Sequence, residues 1–576
     1  MKAHNLNMIY MLIMGLFISM FLNQDRIIRV FYNDEIKHAV PIASSRSYLG
    51  DEYHYYAEAS ESLKIGLISK DKVYSTNNVL FGSLFVSGIV NYVCHTLIPS
   101  SDISVLLSLI IQAMFLVVST MVVIKVIGNF NQKNSVWWVG FWAAIALILY
   151  EYFMLNSYYG AIHLRPLLSF YPNVLRIVNP QMGWAYGLFY ISLLFIYLNK
   201  ITPVRFVILC LMSLVFCFFS PSLCLMMLLA MAFIFLINLC FLRSIDYSFL
   251  TFSAFLLISF LFNYYQLYNF QHSPKGMEIA TGVVKNLVFK PHYFIFMLLL
   301  IPLRLFYKGK EFIFLASLLI SSVVIGSLCE SIHLGERLWV RGGGYWVWIL
   351  IIILLGPTFK KRINNVAVPV VGLLLISIWS FFLLPHHFDK QYGYISQDKW
   401  VVLDWINRHA PKNSIIASDD LEFSFLLPIY TRAQPFVPLF SYSKYSAEET
   451  VKRFYYILGL YGSKNKVQKH LNEFTLENNI KNIQAVTDGH EMDDTSFLQN
   501  AFFNHLIYYP FTTFSKNAFS SVENMKSFYS ILNNWQSDDY SGDKHYDFLI
   551  RKIDSSSISE SHKVVFKSNA YFIEKI

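Results

Sequence analysis

The sequence predicts a polytopic α-helical membrane domain of about eleven spans followed by a soluble domain of mixed helix and strand. Three observations predict it. Hydrophobic residues make up 55% of the 576 residues and charged residues only 14%, where soluble domains carry roughly 25% charge. The charge is also uneven: residues 1–385 hold 26 basic and 15 acidic side chains, and residues 386–576 hold 20 and 22. Finally, apolar runs of membrane length recur along the first part and stop at its end. A single soluble domain, a disordered chain and a fibrous repeat are thereby excluded. The net charge of +9 belongs to the apolar part. It is not gathered on one water-facing surface, so no nucleic-acid partner is expected.

A spanning helix needs about 20 mostly apolar residues. The segments that qualify are 8–24, 102–125, 136–155, 184–198, 204–219, 222–241, 248–267, 292–307, 312–329, 344–356 and 364–384. Ser220-Pro221-Ser222 reads as the turn of a hairpin between two of them. With a cytoplasmic N-terminus, every short cytoplasmic loop carries Lys or Arg, and Lys360-Lys361-Arg362 gives the heaviest single vote. No small-residue cleavage site follows the first span, so it is expected to stay. An odd span count then places both the long 25–101 segment and the tail outside the cytoplasm. Residues 79–98 are apolar enough for a twelfth span, which would invert all later loops. Ser83, Ser87, Gly88, Asn91 and His95 favour a helix lying at the outer interface instead. Six cysteines, none in the tail, form no disulfide or metal pattern; Cys210, Cys217 and Cys224 read as apolar fillers.

The unusual polar residues fall on the outer side. The first outer segment holds Asp51-Glu52-Tyr53-His54-Tyr55-Tyr56. Asp51 fits a helix N-cap, and the pair also fits a proton acceptor beside a substrate site, with His54 and Tyr55 as neighbours. The second outer loop, about 154–183, offers Tyr158, His163, Arg165, Arg176, Asn179 and Gln181, and its only acid neighbour is Glu151 at the span edge. Guanidinium groups grip phosphate with a planar fork of donors, although interfacial arginines also snorkel to headgroups. The third outer loop carries Glu336, Arg337 and Arg341 before Gly342-Gly343-Gly344. Ionisable residues so near bilayer depth tend to be functional, and the glycines admit a ligand close to backbone. His386-His387 and Asp389 read as a junction after the last span.

A carboxylate that deprotonates an acceptor hydroxyl, with arginines that stabilise a departing phosphate, makes glycosyl transfer from a polyprenyl-phosphate sugar coherent. A transporter or flippase of lipid-linked sugars, and a polysaccharide polymerase or ligase using a lipid diphosphate, are the alternatives. In layout the chain resembles the GT-C superfamily of integral membrane glycosyltransferases. The resemblance rests on the first span, on Asp51-Glu52-Tyr53-His54-Tyr55-Tyr56 in a long outer loop, and on the tail opening Trp400-Val401-Val402-Leu403-Asp404-Trp405-Ile406-Asn407-Arg408-His409-Ala410-Pro411. It implies an acid of the first outer loop as catalytic base, here Asp51 with Glu52 as rival. It implies a polyprenyl-phosphate sugar donor and a glycan, lipid or protein acceptor in a bacterial inner membrane. The metal-dependent branch takes further acids from the second outer loop, which this loop lacks. No cofactor is therefore expected, and an inverting, metal-independent transfer is favoured over a divalent-metal one.

In the tail, Ser414–Ser418 predicts a short buried strand, Ser446 and Glu449 a capping box opening a helix through Leu460, and Tyr571-Phe572-Ile573 a terminal strand. Asp419, Asp420 and Glu422 read as a solvated acidic loop, with a sugar or metal site as the alternative.

Overall fold

The computed structural model describes residues 2–31, 37–39, 82–98, 101–130, 135–158, 181–199, 202–242, 247–271, 291–328, 343–362, 366–383, 394–418, 422–438, 544–553 and 563–576, with positions 420, 449, 452, 453, 456, 457 and 542. The apolar part is helical: α1 (Lys2–Leu22), α2 (Gln24–Phe31), strand β1 (Lys37–Ala39), α3 (Gly82–Leu97), α4 (Ser101–Ile127), α5 (Ser135–Tyr158) and α6 (Gln181–Asn199). There follow α7 (Pro203–Phe219), α8 (Pro221–Ile237), α9 (Tyr247–Gln271), a 3-10 stretch Pro291–Leu299 leading into α10 (Leu300–Phe306), α11 (Gly309–Leu328), α12 (Gly344–Arg362) and α13 (Ala367–Leu383).

All eleven apolar segments are helical where they are described, but fewer than eleven meet the length of a span there. Among the described residues four helices are long and apolar enough to cross a membrane: Asp102–Ile127, Leu223–Cys240, Tyr247–Tyr265 and Gly309–Ser327. The other apolar stretches are shorter among the described residues, and for α7 the reason is local. Helix α7 is fenced by Thr202 and Pro203 at one end and Ser220 at the other. Its 17 residues measure about 26 Å, short of the ~30 Å hydrocarbon core. At Ser220 the hairpin read from the sequence is present in its tightest form. The Ser220 N–H donates to the Phe216 carbonyl at 3.1 Å, closing α7, and its Oγ accepts the Leu223 N–H at 3.4 Å, opening α8.

Helix α4 is the axis of the bundle. It packs on α1, α3, α5, α6 and α12. Helix α1 runs antiparallel to it, with Lys125 Nζ 3.6 Å from Met11 Sδ and the Gly15 backbone pressed on Val118. The interior is aliphatic and aromatic, with Leu116, Val117, Tyr190, Phe216, Leu318, Trp346 and Leu350 fully buried. Large apolar side chains of α7 and α9, such as Leu211, Leu257 and Leu261, face outward, as lipid contact requires.

Helix α3 does not lie across the bundle as the sequence led us to expect. It stands against α4 as an antiparallel hairpin. Ser87 Oγ donates to Gln112 Oε1 at 2.8 Å, Ser108 Oγ donates to Asn91 Oδ1, and Ser104 Oγ meets His95 Nδ1 at 2.7 Å. Partner positions fall by four on one helix as they rise by four on the other, so one face of each helix forms a continuous polar seam. The polar residues taken as evidence for an interfacial helix instead satisfy the polar stripe of α4. Inter-helix bonds of this kind glue apolar helices together.

The tail begins with β2 (Tyr394–Ser396), α14 (Gln397–His409), β3 (Ile415–Ser418), α15 (Glu422–Tyr430) and β4 (Gln434–Pro435). It ends with β5 (Phe548–Lys552), β6 (Lys563–Lys567) and β7 (Tyr571–Lys575). One five-stranded sheet has the order β4-β3-β5-β7-β6. Strands β4, β3 and β5 are parallel, and β7 pairs antiparallel with both β5 and β6. The strands expected at 414–418 and 571–573 are therefore present, and both are buried. Val402, Leu403 and Ile406 of α14 are buried with them. Of the helix expected over 446–460, positions 449, 452, 453, 456 and 457 are helical and the rest lie outside the described residues. A second, two-stranded sheet joins distant chain segments: β1 pairs antiparallel with β2, Lys37 opposite Ser396, His38 opposite Ile395 and Ala39 opposite Tyr394.

Candidate functional site

Most of the residues singled out from the sequence lie outside the described residues. These are Asp51, Glu52, His54 and Tyr55 of the first outer segment, His163, Arg165, Arg176 and Asn179 of the second, and Glu336, Arg337 and Arg341 of the third. Tyr158 is the last residue of α5 and Gln181 the first of α6, and only their backbone is described. What the structure does give is the set of helix ends from which the second and third segments leave.

Those ends meet. Trp184, in the first turn of α6, stacks on Tyr345, in the first turn of α12, with ring centroids 4.1 Å apart and planes 10° from parallel. Both rings are at most 2% exposed. Tyr345 Oη lies 2.9 Å from Thr120 Oγ1 on α4, so the pair is fixed to the bundle axis. Two glycines tighten the same layer. A Cβ on Gly183 would sit 2.7 Å from the Phe219 carbonyl, and one on Gly343 would sit 3.2 Å from Ser322 of α11. Ser322 Oγ in turn contacts Met226 Sδ of α8 at 3.2 Å. The first turns of α6, α8 and α12 thus share one layer with the last turns of α7 and α11.

Helix N-termini carry unsatisfied N–H groups and a partial positive charge. Three N-termini lie in this layer beside the C-terminal turns of α7 and α11, whose carbonyls carry the opposite partial charge, so the layer is a meeting of opposed helix ends. Residues 159–180 and 329–342 both feed directly into this layer, through Gln181 and Gly344.

Sequence reasoning missed two polar features of the apolar part. Arg26, at the junction of α1 and α2, is 1% exposed, and its Nη1 donates to Asn23 Oδ1 at 2.6 Å. Asn23 is itself held by Ser19, whose carbonyl accepts from Asn23 Nδ2 at 2.8 Å. A guanidinium buried in this setting is costly unless it is engaged. The available signal was Arg26 so soon after an apolar run, with Asn23 three residues earlier. The α3–α4 seam was the second; Ser104, Ser108 and Gln112 at four-residue spacing would have announced it. Of the three cysteines read as apolar fillers, Cys217 and Cys224 are buried and Cys210 is half-buried.

In the tail the solvated acidic loop is corrected. Asp420 is a buried hub whose side chain is 5% exposed. Lys399 Nζ of α14 reaches it at 2.9 Å, Tyr571 Oη of β7 donates to it at 2.8 Å, and Lys552 Nζ of β5 lies 3.7 Å away. Burial alone pushes this carboxyl up. The charges of Lys399 and Lys552 and the hydrogen bonds from Lys399 and Tyr571 outweigh it and hold Asp420 below the usual carboxylate range. Burial lowers Lys399 from the ordinary lysine value, with Asp420 opposing. The loop sequence gave no hint of this, because every partner comes from a distant element. Asp419 lies outside the described residues.

No family model matches the chain, and none of the curated proteins is significantly similar to it.

Proposed function

We propose that the chain is a membrane glycosyltransferase of GT-C type that moves a sugar from a polyprenyl-phosphate donor to a glycan, lipid or protein acceptor outside the cytoplasm. The observation that carries this reading is the Trp184–Tyr345 stack, which holds the helix ends next to the two arginine-bearing segments together. The β1–β2 ribbon supports the expected orientation. Strand pairing puts β1 and β2, and with them the first outer segment and the tail, on one side of the membrane, as that orientation expects.

In this reading Asp51 takes the proton from the acceptor hydroxyl as that oxygen attacks the anomeric carbon. The bond from that carbon to the phosphate oxygen breaks with inversion, and Arg165, Arg176 and Arg341 hold the polyprenyl phosphate that leaves. Glu52 is the rival base.

The test is transfer of labelled sugar from a short-chain polyprenyl-phosphate donor by the purified full-length protein. Asp51→Asn is expected to abolish transfer with folding intact, and Arg341→Lys to weaken donor binding. Full activity in both Asp51→Asn and Glu52→Gln removes the base assignment. Turnover with diphosphate-linked oligosaccharide alone moves the protein to the polymerase or ligase class.

A further inference from the structure

The two-stranded ribbon and the Asp420 cluster have so far been described separately, yet a short run of contacts joins them. A ribbon of two three-residue strands cannot hold itself together in water, so something else must fix β1 to β2. Ile395, the middle residue of β2, is 2% exposed and anchors the ribbon in apolar surroundings. Helix α14 packs on both strands. Ser396 is at once the last residue of β2 and the N-cap of α14, its side chain accepting the Lys399 N–H at 3.4 Å. With no residue between strand and helix, the two turn as one piece.

One turn into α14, Lys399 is seized by Asp420, which also engages Tyr571 of β7 and faces Lys552 of β5. The five-stranded sheet therefore grips α14 through one carboxylate, and α14 carries β2, which carries β1. Strand β1 begins six residues after α2 ends and finishes twelve residues before Asp51.

We propose that β2 with α14 is a tether by which the tail holds the first outer segment, and that Asp420 is its latch. Asp420 then serves the fold, its Oδ2 facing two lysines and a tyrosine hydroxyl. The tail acts on the first outer segment by fastening it at one end, while α1 and α2 fasten it to the membrane domain. The tether itself does not depend on the reaction proposed above; only its effect on transfer rests on that reading.

Hydrogen exchange of the full-length protein in nanodiscs, read by mass spectrometry, tests this. Asp420→Asn is expected to speed exchange at residues 37–39 at least tenfold, with α4 and α6 unchanged. Lys399→Met serves as a second variant that cuts the same link from the other side. The pair Ala39→Cys and Tyr394→Cys, opposite each other in the ribbon, is expected to close a disulfide on mild oxidation with diamide. That bridge should restore slow exchange at 37–39 in the Asp420→Asn background. Faster exchange in α14 with 37–39 unchanged overturns the tether, and so does failure of the cysteine pair to bridge. If the wild-type chain transfers sugar, the latch variants should lose at least fivefold in kcat/KM and regain it when bridged. A wild-type chain that transfers nothing counts against the reaction alone, and the exchange measurements still decide the tether.

Discussion

Arg551 of β5 and Glu574 of β7 are both fully buried, with Nη1 and Oε1 3.7 Å apart. They sit diagonally across the ladder, since Arg551 faces Phe572 and Glu574 faces Leu549. The guanidinium carbon also lies 5.4 Å from the centre of the Phe572 ring. Changing Glu574 to Gln leaves the cation with no matching charge on β7. Removing one partner from a buried pair costs about 3–5 kcal/mol. The separation exceeds hydrogen-bond reach, which places this pair near the lower end, at about 3 kcal/mol. Replacing both groups by apolar ones of similar size, Arg551→Met with Glu574→Leu, is about neutral or better by the same reasoning. The double-mutant cycle should therefore show at least about 2 kcal/mol of coupling. Slow hydrogen exchange of residues 563–576 in the full-length protein reads the local opening free energy. A Glu574→Gln protein within about 0.5 kcal/mol of wild type, or a double variant as unstable as the two single changes added together, refutes the reasoning.

Further outcomes follow from the geometry. Asp420 is depressed in the folded tail, so the stability it adds is present above the unfolded value near pH ~3.9 and is lost as pH falls through the lower folded one. Near-ultraviolet circular dichroism of the tail aromatics should weaken on acidification below about pH 4, and less steeply in Asp420→Asn. Gly183→Val meets the Phe219 backbone, which cannot step aside, and should cost about 1–3 kcal/mol in thermal unfolding. Gly309→Ala meets nothing but forces a φ of +55°, and should cost about 1–2 kcal/mol. Tyr345→Phe loses the Thr120 contact, yet Thr120 still donates to the Leu116 carbonyl at 2.9 Å. Its stability should fall by only about 1 kcal/mol, whereas Trp184→Ala should raise the donor KM several-fold by loosening both loop exits.

The helices were legible because lipid imposes a one-dimensional rule: an apolar run must hydrogen-bond its own backbone. Strand 415–418 and the terminal strand were legible for a related reason, being short apolar runs bounded by polar residues. Span length was not, because hydropathy does not see where Pro203 and Ser220 stop a helix. The stance of α3 was misread because Ser87, Asn91 and His95 look alike whether they face water or Ser104, Ser108 and Gln112. The burial of Asp420 depends on Lys399, Lys552 and Tyr571, which no local window contains. The β1–β2 ribbon is three residues long on each side, below any periodic signal. Of the candidate site, the sequence supplied the side chains of the outer segments, and the fold supplied the Trp184–Tyr345 junction beneath two of them. Neither aromatic stood out in sequence, because each sits inside an apolar run.

Ser220 has one more implication. A single residue that closes one helix and opens the next leaves no slack for insertion or deletion. Adding one amino acid there would separate the bond that closes α7 from the bond that opens α8, so one helix end would lose its cap. Length variation in related chains is therefore expected to accumulate in the connections elsewhere, and this corner to keep its count.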